Sequence, residues 1–139
     1  MRFMLILKAN AQTEAGVLPS EEVLTAMGQY NERLAQAGVL LAAEGLHNSA
    51  KGARVTFEGS TSTVTDGPFT ETKELIAGFW LVQVNSKEEA IEWVRQCPLT
   101  DGGTIEIRQV FEAEDFGEAL SPELREAEEQ LRAQVKPVR

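Results

Sequence analysis

The segment Ile76-Ala77-Gly78-Phe79-Trp80-Leu81-Val82-Gln83-Val84 is the longest strand-like run in the chain, and its reading decides the fold. A β-strand turns successive side chains to opposite faces. Phe79 and Leu81 therefore share one face, Trp80 and Val82 the other, and both faces are apolar. The opening run Phe3-Met4-Leu5-Ile6-Leu7 has the same two-sided character. An antiparallel sheet with helices on one side and water on the other alternates apolar with polar residues. These two strands do not alternate, so both of their faces are expected to be covered.

Outward from these strands, Ser20 precedes Glu21 and Glu22 as an N-cap with two carboxylates in the first turn, where the helix dipole favours them. Val23, Met27, Tyr30, Leu34 and Ala37 follow at helical spacing, and Gly38 stands where a helix end takes a left-handed residue. Strands are predicted over 39–43, 54–58 and 61–65, the last two joined by Gly59-Ser60 as a tight hairpin. Ser86 and Glu89 form a capping-box pattern for a helix over 87–96, which stops before Cys97-Pro98. Residues 105–110 alternate as a last strand. Ser121-Pro122-Glu123 opens a third helix whose apolar stripe, Leu124, Ala127, Leu131 and Val135, is thin. The order strand, helix, strand, hairpin, strand, helix, strand predicts an α+β domain over 1–112, with a ferredoxin-like (βαβ-hairpin-βαβ) antiparallel sheet and helices on one face. Residues 113–139 read as an acidic C-terminal extension carrying a helix. With only two core helices available, the expected cover for the second sheet face is another subunit's sheet, hence a homodimer.

The chain of 139 residues has the size of one ordinary domain and can bury one real core. It carries 22 acidic against 13 basic residues, a formal charge of -9, and the long-range field repels nucleic-acid phosphates and anionic lipid heads. Neither nucleic acid nor a membrane is expected as a partner. The apolar run near the N-terminus is too short for a signal-peptide core or a membrane span. A lone cysteine, Cys97, forms no internal disulfide, which fits a reducing cytoplasm, and one Cys with one His builds no metal cluster. No phosphate-cradling glycine loop lies at a strand-to-helix turn, so no nucleotide, flavin or haem cofactor is expected.

Chemistry concentrates in Thr65-Asp66-Gly67-Pro68-Phe69-Thr70-Glu71-Thr72-Lys73-Glu74. Gly67 permits a positive φ, Pro68 fixes its own φ and restricts Gly67, and Asp66 can accept hydrogen bonds from the amides that follow. Two readings of Asp66 stand side by side: an ordinary turn former, or a carboxylate with a function. His47, the single histidine, follows the second predicted strand, and imidazole is the side chain suited to moving protons near neutral pH. It is a catalytic candidate if it faces a cleft and a solvated loop residue otherwise. Glu71, Lys73 and Glu74 either line the same cleft or are solvated charges after a turn. Glu106 and Arg108 share one face of the last strand, where they keep an edge soluble or meet a partner. Tyr30, Trp80 and Trp93 read as core or interface anchors, and Cys97 as a packing residue.

The string Asp66-Gly67-Pro68-Phe69 with Glu71, Lys73 and Glu74, then Gly78-Phe79, Glu89-Ala90 and Trp93 before Cys97-Pro98, resembles the DGPF branch of the YCII-related proteins. The likeness spans about residues 1–111, and 112–120 resemble a tail found in one group of that branch. The resemblance implies a dimeric ferredoxin-like, or dimeric α/β-barrel, fold. It also implies a cleft, which in smaller members of the family holds a His and Asp pair. Asp66 matches that Asp. The matching histidine position falls within 21–31, where this chain has none, so the pair is not carried over whole. Two functions follow: a small-molecule enzyme with Asp66 as general acid or base and His47 assisting, or a non-catalytic ligand-binding or regulatory dimer. In both, Gly67, Pro68, Phe69, Glu71 and Lys73 surround the ligand. In a purely structural dimer, Asp66 is only a turn residue.

Overall fold

A computed structural model of the protein describes residues 1–99 and 102–135. Among the described residues six strands form: β1 (Arg2–Lys8), β2 (Leu40–Gly45), β3 (Ala53–Glu58), β4 (Thr61–Asp66), β5 (Ile76–Gln83) and β6 (Ile105–Gln109). Four of them make one antiparallel sheet in the order β2-β5-β1-β6, while β3 and β4 pair only with each other. The two runs read as doubly covered are the two central strands, β1 and β5. The sheet is open, with β2 and β6 as its edges and no closure into a barrel.

The helices are α1 (Ala11–Glu14), α2 (Glu21–Gln36), α3 (Lys87–Arg95) and α4 (Pro122–Gln134). Ser20 Oγ accepts from the Val23 amide at 3.2 Å and starts α2 as predicted, and Gly38 (φ +76) lies just past its end. At α3, Ser86 Oγ accepts from the Glu89 amide at 3.1 Å, but the Glu89 carboxylate reaches the Asn85 amide at 2.7 Å, one residue before the expected partner. The sequence reading missed α1. It is closed by a reciprocal cap in which Thr13 N donates to Asn10 Oδ1 and Asn10 N donates to Thr13 Oγ1, both at 2.9 Å. Short 3-10 turns at Ser49–Lys51, Thr72–Glu74 and Ala113–Ala119 were also missed.

Phe3, Leu5, Trp80 and Val82 face one way and join Tyr30 and Leu34 of α2 and Ala90 of α3 in a single core. Both helices thus cover the same side of the sheet. Burying each of the larger side chains contributes about 1.5–3 kcal/mol. On the other side, register aligns the rows Ala42, Leu81, Met4, Arg108 and Glu44, Phe79, Ile6, Glu106. Met4, Ile6, Phe79 and Leu81 are only partly buried there. The apolar centre of this second face has no helix of its own. No residue of α4 is buried, and the extension is tied to the sheet by Arg2, whose guanidinium bonds Glu112 at 2.8 and 3.1 Å. Residues 136–139 of the expected extension lie outside the described residues. Among the described residues no helix is long and apolar enough to cross a membrane.

Candidate functional site

The chain leaves β4 at Asp66 and turns through a cis Gly67-Pro68 peptide. The turn is braced from the segment before β3. Gly67 N donates to the Gly52 carbonyl at 3.0 Å, and Phe69 N donates to Ser49 Oγ at 2.9 Å. Ser49 is itself held by α1: its hydroxyl donates to one oxygen of the Glu14 carboxylate and its amide to the other at 3.0 Å. Asn48 Nδ2 donates to the Glu14 carbonyl at 3.0 Å. Three segments distant in sequence therefore lock through Glu14 and Ser49.

This geometry corrects the reading of Gly67. It does not adopt a positive φ; the glycines that do are Gly16, Gly38, Gly59, Gly102 and Gly117. Glycine is needed because a Cβ at position 67 would stand 1.7 Å from the Ser49 carbonyl oxygen. The backbones simply pass too close for a side chain.

Asp66 is exposed, and among the described residues its carboxylate accepts no hydrogen bond from the following amides and forms no ion pair. The turn is held by main-chain groups and Ser49 instead of by Asp66. His47 is exposed in the loop that carries Asn48 and Ser49, two residues from the brace. Among the described residues it makes no ion pair with Asp66, and neither does Lys73. Pro68, Glu71 and Lys73 are exposed, with Lys73 in the 3-10 turn Thr72–Glu74. Phe69 is half-buried beneath the Arg54 guanidinium, 3.8 Å from its ring centroid, a cation–π stack. Glu106 and Arg108 pair with each other at 3.2 Å on an exposed strand. Burial pushes the Cys97 thiol up to about 11, so it is protonated at neutral pH and packs as expected.

Two hollows lie away from the Asp66 turn. One broad hollow is lined by Glu21, Glu22, Thr25, Ala26 and Gln29, a single helix flank without a second wall. A smaller one lies between α4 and the segment before it. Neither contains Asp66 or His47. No group of three or more His, Cys, Asp or Glu among the described residues is placed to hold a metal.

Sequence reading missed Glu14, Asn48, Ser49 and Arg54. The reciprocal Asn10–Thr13 cap was a legible signal for α1, but nothing local marks that Glu14 meets Ser49.

The fold defines an α+β protein with an open antiparallel sheet and a hairpin ending in a braced, carboxylate-bearing turn. Residues 1–114 match the YCII-related domain, and the chain belongs to that family. It is similar to the uncharacterized protein R00369 of Rhizobium meliloti (strain 1021), 31% identical over 92 residues that cover 63% of this chain and 73% of that protein.

Proposed function

We propose that the protein belongs to the DGPF branch of its family and works as a homodimer of ferredoxin-like subunits packed sheet to sheet, with a small-molecule site at the Asp66 turn. The strand order β2-β5-β1-β6 with both crossing helices on one face supports the subunit fold. The uncovered rows through Met4, Ile6, Phe79 and Leu81 support the sheet-to-sheet contact, since a two-fold axis lays one apolar centre on the other. Arg108 ends one row while Glu44 and Glu106 end the other, so opposite charges are available at the margins of that contact.

One observation carries the site: the turn's main-chain amides at Gly67 and Phe69 are satisfied internally, while the Asp66 carboxylate has no partner among the described residues. A turn that holds itself without Asp66 leaves that carboxylate free for chemistry, on a rigid support. In the enzymatic reading it takes a proton from the substrate, leaving the electron pair there, and returns it later in the cycle; His47, two residues from the brace, is the second proton carrier. The alternative, a non-catalytic ligand-binding or regulatory dimer, draws on the exposure of Asp66 in the protomer and uses the same carboxylate as a hydrogen-bond acceptor.

The test compares Asp66→Asn, which keeps size and removes charge, with Asp66→Ala. Screened by thermal shift against a panel of small metabolites, the wild-type protein is expected to gain stability with a ligand that Asp66→Asn no longer recognises, while both unfold alike without it. Turnover of that ligand separates enzyme from binder. Unchanged binding in Asp66→Asn together with a lower unfolding temperature in Asp66→Ala makes Asp66 a turn former and removes the proposal.

A further inference from the structure

Arg54 is a cation held beside the Asp66 turn. It stands on β3 opposite Thr65, the residue before Asp66. Strand and residue spacings put the Arg54 and Asp66 backbones about 6 Å apart. Their side chains leave opposite faces of the ribbon, because Asp66 is paired with Ala53. Past the cis peptide the chain brings Phe69 under Arg54, whose guanidinium carbon lies 3.8 Å from the ring centroid. Phe69 is pinned in turn, since its amide donates to Ser49 Oγ and the Ser49 amide donates to Glu14. A second stacked arginine, Arg33 over Tyr30, is looser at 5.7 Å. Among the described residues Arg2, Arg95, Arg108 and Arg132 each pair with a glutamate, whereas Arg54 has no carboxylate partner.

We infer that Arg54 binds an oxyanion of the ligand, carboxylate or phosphate, so that the Asp66 site takes small acids. The inference rests on the site proposed above and adds the chemistry that it selects. A guanidinium in contact with a ring gives one face to it and keeps its N–H edge outward, a planar fork that matches both oxyanions. Stacking also restrains a long side chain before any ligand arrives, so less entropy is lost on binding. Charge makes this cation decisive. With a formal charge of -9 the chain repels anions at a distance, and the Asp66 carboxylate repels them at close range. An acid is held there only if a fixed cation outweighs both.

The strand end sets the shape of the ligand. β4 stops at Asp66, so beyond it no further residue pair separates the two faces of the ribbon. A small acid lying across that end meets Arg54 from one face and Asp66 from the other. Its oxyanion goes to the guanidinium, and the proton that Asp66 takes lies a few bonds away. Arg54 moves no proton, because its guanidinium stays charged throughout. Its role is binding and selection.

The experiment is calorimetric titration of the full chain at low ionic strength with inorganic phosphate, succinate and the neutral succinamide. Wild type should bind phosphate or succinate at millimolar concentration and ignore succinamide. Phosphate alone marks phosphate esters as the ligands, and succinate alone marks carboxylic acids. Arg54 is exposed, so Arg54→Gln removes no core packing, and it should weaken binding at least about tenfold. Arg54→Lys keeps the charge, loses the fork and should fall between. Phe69→Leu, with Arg54 intact, should weaken binding too, because the guanidinium loses its platform. Arg33→Gln removes the same charge from α2 and should change nothing. Asp66→Asn should bind these anions at least as tightly as wild type, since it removes a repelling charge, and the metabolite screen above therefore tests Asp66 separately. Wild-type affinity in both Arg54→Gln and Phe69→Leu, equal losses in Arg54→Gln and Arg33→Gln, equal binding of succinamide, or no binding of either anion would each overturn the inference and leave the Asp66 reading standing.

Discussion

The Tyr30 hydroxyl donates a 2.8 Å hydrogen bond to the Trp93 carbonyl and so joins the two helices that cover the sheet. Tyr30 is fully buried, its ring edge-on to Trp80 at 5.9 Å and 88°. Tyr30→Phe keeps that packing and removes only the hydroxyl. The Trp93 carbonyl retains the Gln96 amide at 3.1 Å, so no acceptor is orphaned. A loss of about 0.5–1.5 kcal/mol in urea unfolding is expected, against about 3–5 kcal/mol for Tyr30→Ala, which also opens a cavity. Equal losses in the two variants would show that the hydroxyl, not the ring, sets the contribution.

Cys97 and Tyr30 are both pushed up chiefly by burial, Cys97 to about 11. The folded state holds both in their neutral forms, so the Cys97 contribution is intact below the unfolded thiol value of about 8.5 and is lost as pH rises from there through about 11, while the Tyr30 contribution is intact below the unfolded phenol value of about 10 and is lost above it. Stability should therefore decline on the alkaline side over that window, with Cys97→Ala flattening its lower part. At pH 7.5 the native thiol should react with a disulfide reagent at least about tenfold more slowly than the unfolded chain, even after its higher intrinsic nucleophilicity is counted.

The central strands were legible in the sequence because Phe3, Leu5, Trp80 and Val82 repeat with a period of two and their neighbours Met4, Ile6, Phe79 and Leu81 are apolar as well. The helix starts were legible because Ser20, Ser86 and Ser121 each supply the hydroxyl that the third amide beyond it needs. What a single sequence does not encode locally is contact between distant segments. Glu14 meets Ser49 across 35 positions and Arg2 meets Glu112 across 110. The closeness to the Ser49 carbonyl that requires glycine at position 67 has no local signature, whereas the left-handed turn that Gly67 permits, and does not adopt, does.

Arg2 and Glu112 form the bond that ties the C-terminal extension to β1, and the Arg2 guanidinium holds the Glu112 carboxyl below its ordinary range. A lowered folded value means the contribution is complete above the unfolded carboxylate value of about 4.3 and disappears as pH falls through the folded one. The pair is partly exposed, so it contributes at most about 1 kcal/mol. Limited proteolysis of the α4 segment should accelerate below about pH 4 and in Glu112→Gln at neutral pH. Truncation after Glu112 should keep cooperative unfolding with a modest loss, since no residue of α4 is buried. Loss of the transition would place the helix in the core.

Gly67→Ala tests whether the brace, and not the carboxylate, makes the turn. The added Cβ would meet the Ser49 carbonyl oxygen at 1.7 Å and its carbon at 2.6 Å, both backbone atoms that cannot rotate away. The turn must therefore lift off the Ser49–Lys51 segment, breaking the Gly67 amide bond to Gly52 and the Phe69 amide bond to Ser49 Oγ. Ser49→Ala breaks only the second and leaves the Glu14 carboxylate without its hydroxyl donor. Both should abolish hydrogen-exchange protection at the Phe69 amide, Gly67→Ala also at the Gly67 amide, while Leu5 and Trp80 amides in the central strands stay protected. The local cost is about 1–3 kcal/mol for Ser49→Ala and larger for Gly67→Ala. Asp66→Asn should leave both turn amides protected, because the carboxylate accepts neither of them. Wild-type protection in Gly67→Ala would mean the turn does not rest on Ser49, and the rigid support argued for Asp66 would go with it.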